Sequence, residues 1–243
     1  SGGIDSSVVT AHAISSRGSG EWQTFCVGTP DSEDMAYAAK AAKALGTVHH
    51  ERVIGEEDVV KVLPSVIYHL ESFDAPLVRS SIANYIAALE AKRYVTALLC
   101  GEGGDELFAG YSQLHGMTPF ELRVETSNML AESHRTALQR DDRMTACHTI
   151  DNRVPFFDTS LAYFSLGMDQ QLKTKGDTEK YILRKSAERM LPDDVVWRKK
   201  QKFWSGSGVG DIAQRIAEAE VTETDLKHMQ EAYLDVGIKT REE

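Results

Sequence analysis

Over its first hundred residues this chain alternates short apolar runs with apolar stripes at helical spacing. SSVVTAHAISS at about 6–16 has the spacing of a helix, and WQTFCVG at 22–28 is a β-rich run that ends at a glycine. An alanine-rich helix follows at 34–45, stopped by Gly46, and TVHHERV at 47–53 alternates enough to be a second strand. Helical stripes at about 57–71 and 80–92 lead to a third apolar strand, YVTALLC at 94–100. Strands separated by helices predict parallel pairing, hence an α/β fold class with a doubly wound, mostly parallel sheet. From about residue 112 strand signals fade, and helices joined by loops are expected. The predicted organisation is an α/β core with a nucleotide-type sheet over residues 1–111 and a mainly helical extension over 112–243.

In open α/β sheets ligands sit outside the carboxyl ends of the strands. Three stretches fall at such ends: Ser1–Ser6 (if a strand precedes it), Val27–Asp31 and Cys100–Asp105. In SGGIDSS, Gly2 and Gly3 let successive N–H groups turn toward one anion, and Ser1, Ser6 and Ser7 add hydroxyl donors. The helix that follows directs its positive end at the same point. No lysine-bearing Walker loop is present, so Asp5 makes chemical sense if a divalent cation is shared with bound phosphates. The alternative is a plain Gly-Gly turn with Asp5 and Ser6 as helix caps.

CGEGGDELFAGY repeats this logic a hundred residues later. Gly101, Gly103 and Gly104 make a strand-to-helix turn, and Glu102 lies between glycines, where it can orient or deprotonate a nucleophile. Asp105 can join Asp5 on Mg²⁺, although acids in a first helical turn also suit the dipole. Farther on, Gly176, Asp177 and Thr178 read as a helix start, which places Lys180 in the first turn against the dipole. Such a lysine can stabilise negative charge developing on a phosphate or a tetrahedral intermediate; an exposed surface lysine is the other reading.

Composition narrows the classes. The chain has 243 residues with a formal net charge of −10, which argues against a general nucleic-acid binder. Locally, Arg184, Lys185, Arg189, Arg198, Lys199, Lys200 and Lys202 face only Glu188, Asp193 and Asp194, so that segment suits an anion or forms a solvated basic face. No apolar run approaches a membrane span. Cys26, Cys100 and Cys147 have neither disulfide nor zinc spacing, which points to a reducing, cytoplasmic compartment.

Taken together these segments resemble a known family. SGGIDS resembles the pyrophosphate loop of the N-type ATP pyrophosphatases (PP-loop proteins). GEGGDELFAGY, DNRVPFFD, EKYILR and WRKKQKF, in that order, are similar to the synthetase domain of glutamine-dependent asparagine synthetases. The resemblance implies activation of a carboxylate by ATP as an acyl-adenylate, release of pyrophosphate, and attack by ammonia. It implies that Ser1, Gly2, Gly3, Asp5 and Ser6 bind pyrophosphate with Lys200 beside them, and that Val27, Cys100 and Gly101 line the adenosine pocket. Asp5 and Asp105 would hold Mg²⁺, and Glu102 and Lys180 would serve the chemistry. Cys100 stands where the family typically carries serine, and APLVRSS replaces a threonine pair near the aspartate site, leaving Arg79 to grip the acceptor carboxylate. That departure keeps open a related amidating or cyclising enzyme, of the β-lactam synthetase kind, although tyrosine stands there in place of Glu102. A non-catalytic ATP-binding domain is a further alternative. An apolar strand is expected just ahead of Ser1, and a synthetase domain trimmed at both ends is expected, with ammonia free or from a glutaminase domain or subunit. A homodimer is left open.

Overall fold

The computed structural model describes residues 1–17, 20–200, 206–232 and 238–240. Its first half runs α1 (Ile4–Arg17), β1 (Gln23–Gly28), α2 (Glu33–Leu45), β2 (Val48–Val53), α3 (Glu56–Leu70), α4 (Ala75–Ala91), β3 (Ala97–Leu99) and α5 (Gly104–Phe108). The second half runs α6 (Pro119–Glu132), α7 (Ala137–Ala146), β4 (Asp151–Arg153), α8 (Thr159–Gly167), α9 (Tyr181–Ala187), α10 (Asp193–Val196), α11 (Val209–Glu220) and α12 (Glu223–Ala232). The architecture is mixed α/β and mostly helical.

Local chemistry sets many of these boundaries. Ser32 caps α2 by accepting the Met35 N–H at 3.3 Å, and Gly46 ends it in the left-handed region at φ 69°. Asp74 caps α4 by accepting the Leu77 N–H at 2.8 Å, which starts that helix at Ala75, several residues before the apolar stripe predicted it. Thr118 and Glu121 form a capping box on α6.

Among the described residues the strands form two parallel pairs. β1 lies beside β2, with Gln23 opposite Val48 and Gly28 opposite Val53, and β3 lies beside β4, with Ala97 opposite Asp151. β4 corrects the expectation that strands end before residue 112. It is a polar three-residue strand, Asp-Asn-Arg, too short to carry a periodic signal and held by its pairing with β3.

Neighbouring residues of β1 enter different cores, as strand alternation requires. Cys26 packs with Met35 and Ala38 of α2, whereas Val27 joins Val59, Val66 and Leu70 of α3 and Ile82, Ala83 and Ile86 of α4. Helix α4 also reaches the second pair, where Ala88 and Ala91 pack with Ile150, Leu98 and Phe25. It therefore underlies both β1 and β3. A separate cluster joins Ile4 and Val8 of α1 to Leu107 and Phe108 of α5 and Leu183 and Ala187 of α9. Among the described residues no helix is long and apolar enough to cross a membrane.

Ile82, fully buried where α3 and α4 meet β1, gives a direct test of this core. Ile82→Ala should lower unfolding free energy in urea by about 2–5 kcal/mol. Tyr68→Ala, at a side chain 77% exposed, should stay within about 0.5 kcal/mol.

Candidate active site

Three loops converge on one cavity of about 520 Å³. Its lining includes Ser1, Gly2, Gly3, Asp5, Ser6, Val27, Cys100, Gly101, Glu102, Asp105, Lys180 and Lys200. All the candidate site residues except Arg79 are therefore brought together. Arg79 lies on α4 outside this lining. Of WRKKQKF, residues 201–203 lie outside the described residues, Lys202 among them.

The opening turn bonds to the first turn of α1. Ser1 Oγ lies 3.2 Å from Ser6 Oγ, Ser6 Oγ donates to the Gly3 carbonyl at 3.3 Å, and the Gly3 N–H donates to Ser1 Oγ at 3.4 Å. Gly2 sits at φ 68°, and a Cβ there would meet the backbone nitrogen of Ala38 in α2 at 2.5 Å. Only glycine fits that contact and that angle. Gly101 brings the second turn against the first, since a Cβ on it would lie 2.5 Å from the Ser6 nitrogen.

Lys180 ties the two turns to a third segment. Its ammonium lies 2.6 Å from Asp105 Oδ1 and is bonded to Asp5 Oδ2, while its side chain is 2% exposed. The expectation of a first-turn lysine in a helix beginning at 176–178 is corrected here. Residues 175–178 close a tight turn through mutual Lys175 and Thr178 backbone bonds, and α9 begins at Tyr181. Lys180 is the residue before it, in the left-handed region at φ 54°. A non-glycine residue held there costs about 1–3 kcal/mol, which the enclosing contacts must offset. The reading as an exposed lysine is likewise overturned.

Lys200 is bonded to Asp105 and lies 4.8 Å from the centre of the Tyr111 ring. The Tyr111 hydroxyl donates to Glu106 at 2.6 Å. Burial works to raise Asp105, but the Lys180 and Lys200 ammoniums outweigh it and hold its carboxyl at about 2. Asp5 goes the other way: burial raises it, Lys180 opposes, and the Asp105 charge adds to the rise. The two carboxylates on one lysine are split because burial prevails at Asp5, whereas Asp105 is hydrogen-bonded by two ammoniums.

The basic segment is not a solvated face throughout. Arg184 is buried, bonded to Glu179 and to the carbonyls of Val196 and Arg198. Arg198 pairs with Asp34 at 2.7 Å and donates to the Gly2 carbonyl at 3.4 Å, bracing the opening turn.

The sequence reading missed Arg140 and Asp141. They lie on α7, whose run ALQRDDRMTA is so polar that it reads as solvent-facing, yet Arg140 reaches inward and bonds Glu102. Burial pushes Glu102 up to about 8; Arg140 opposes this, while Asp141, Glu106 and Asp105 reinforce it. The only hint in sequence is an arginine beside two aspartates on one helix, a pattern ordinary at any surface.

Glu102 thus loses its proton near 4.5 in the unfolded chain and near 8 in the folded one. Between those values the folded state binds the extra proton, so its stability falls as pH rises through the window. Glu102→Gln mimics the protonated form and should escape that loss. The difference in Tm, Gln variant minus native, should grow from pH 5 to pH 8 in calorimetry; a flat difference would reject the raised value.

Comparison of the sequence with known proteins identifies its family. A family model described as asparagine synthase matches residues 1–132 and 120–241. The glutamine-hydrolyzing asparagine synthetase of Gallus gallus is 35% identical over 216 residues, covering 85% of this chain and 38% of that protein. That of Triphysaria versicolor is 32% identical over 93% of this chain and 42% of its own length. Asparagine synthetase B of Escherichia coli (strain K12) is 32% identical over 93% of this chain and 44% of its own length. This chain spans about two-fifths of the length of these relatives. It belongs to the asparagine synthase family.

Proposed function

We propose that this chain is an ATP-dependent amide-forming ligase that activates aspartate as its β-aspartyl-adenylate, releases pyrophosphate, and yields asparagine when ammonia attacks. One observation carries this reading: the opening turn, the Glu102 turn and the Lys180–Lys200 region meet at one cavity, although they lie far apart in sequence. Relatives named as glutamine-hydrolyzing asparagine synthetases support it. Ammonia then comes free or from a glutamine-hydrolysing domain or subunit.

In this reading Ser1, Gly2, Gly3, Asp5 and Ser6 receive the pyrophosphate, with Lys200 beside it. Val27, Cys100 and Gly101 line the adenosine side. Lys180 offsets charge developing on the transferring phosphate, and Glu102 serves proton transfer to or from the attacking nitrogen. Arg79, although outside the lining of this cavity, would take the acceptor carboxylate. The donor set also fits Mg²⁺. Asp5 Oδ1 is buried without a hydrogen-bond partner among the described residues, and Asp105 shares Lys180 with it. Two carboxylates and phosphate oxygens suit that ion, which when bound neutralises phosphate charge.

We also infer that the two parallel pairs belong to one doubly wound sheet of the ATP pyrophosphatase type, with residues 112–243 completing the same synthetase domain. Support comes from helices on both faces of β1 and from α4 beneath both pairs. Free thiols at Cys26, Cys100 and Cys147 suit a cytoplasmic setting.

Pyrophosphate exchange into ATP, screened across carboxylic acids, tests the reading. Exchange should depend on aspartate, and turnover with ammonia should give AMP and pyrophosphate; ADP and phosphate as products would reject it. Lys180→Ala should lower kcat by about 10²–10³-fold. An unchanged rate in that variant would remove Lys180 from the chemistry.

A further inference from the structure

Asp141 is a buried carboxylate for which the chemistry above has no use. Its side chain is 7% exposed and accepts hydrogen bonds from three elements. Asn84 of α4 donates to Oδ1, the Cys100 thiol after β3 donates to Oδ2 at 2.9 Å, and Arg140 Nε of α7 approaches Oδ1 at 3.4 Å. Arg140 is committed on all three of its nitrogens. Besides Asp141 it donates to Ser80 Oγ at 3.3 Å through one terminal nitrogen and to Glu102 Oε2 through the other.

An unconstrained arginine and glutamate tend to close as a two-bonded fork. Here Asp141 and Ser80 hold the nitrogens that a fork would need. We propose that Asp141 is a positioning residue for Glu102, acting through Arg140: it fixes the guanidinium so that Glu102 receives one hydrogen bond and its second oxygen stays out of the ion pair. The inference rests on Glu102 being the proton-transfer group of the reading above.

Charge follows from the same geometry. Two carboxylates share one guanidinium, so full ionisation leaves an uncompensated negative charge in a partly desolvated site. Among the described residues Asp141 accepts from three donors and Glu102 from Arg140 alone, and Glu102 is the member whose proton affinity is raised. Other ionisable groups that interact with Glu102 are Asp105 and Glu106 of α5, both of which push its proton affinity upward, together with Cys100 and Tyr111.

The test follows the Glu102 carboxyl directly, without nucleotide. Protein labelled with ¹³C at glutamate side-chain carboxyls is titrated by NMR, and the Glu102 signal is assigned by its loss in Glu102→Gln. In Asp141→Asn the midpoint should fall by at least about one pH unit, because Arg140, no longer shared with a second carboxylate, is freed for Glu102; the direct effect of the lost Asp141 charge is the part that persists without Arg140. Asp141→Glu, which restores the charge, should bring it back toward the native value. In an Arg140→Gln background, Asp141→Asn should move the midpoint by less than half as much. Where Asp141→Asn fails to fold, Asp141→Ala carries the same expectation. An unmoved midpoint overturns the proposal, as does an equal shift with and without Arg140, since the effect would then bypass the guanidinium. Absence of pyrophosphate exchange in the native protein, by contrast, would reject the ligase reading and leave this titration result standing.

Discussion

One ammonium holds the site together. Lys180, at 2% exposure, reaches Asp5 on the opening turn and Asp105 on the second, and so joins three segments separated by about a hundred and by seventy-five residues of chain. The cluster that packs α1, α5 and α9 supports it with apolar contact, bringing the same three segments together behind the charges. Charge and packing therefore specify one arrangement, and neither turn has to find the other unaided. A buried ion pair of this kind is weak evidence for stability, because desolvation consumes most of the Coulomb gain. What it supplies is register: removing one partner leaves a charge stranded in a dry place.

The site is organised as two electrostatic compartments that share a wall. On one side, two lysines face two aspartates, and the balance holds Asp105 ionised down to about 2. On the other, a single arginine faces Glu102 and Asp141, and Glu102 is pushed up to about 8. The glycine turn at 101–104 lies between them, with Glu102 on one side and Asp105 at its exit. Only Gly103 and Gly104 thus separate a carboxylate held as an anion from a group that can exchange a proton near neutral pH. Pushing neighbouring carboxyls apart is how a protein assigns one to charge and another to proton transfer.

Much of this was legible in the sequence where the physics is local. The glycine turns, the helix stops at Gly46 and the capping aspartates and serines act within a few residues, so α2, the strand at 23–28 and both carboxylate-bearing turns could be read directly. The strand at 151–153 could not, because Asp-Asn-Arg has no β signature and exists through its partner at 97–99. Lys180 was found for its misplaced charge, but its local setting was misread: Gly176 and Asp177 belong to a tight turn closed by Lys175 and Thr178, and the lysine stands just before α9. Arg140 and Asp141 escaped because a charged helix facing inward has the same sequence as one facing water. Only the carboxylates and the amide waiting across the fold distinguish the two.

The hydrogen bond from Cys100 to Asp141 has a chemical side effect. Thiols react with oxidants and alkylating agents as thiolates. Burial pushes Cys100 well above its usual range, and the carboxylate beside it adds to the rise. Burial raises Cys26 and Cys147 as well. At neutral pH none of the three offers an appreciable thiolate, so a protein with three unpaired cysteines is built to be slow toward peroxide and iodoacetamide.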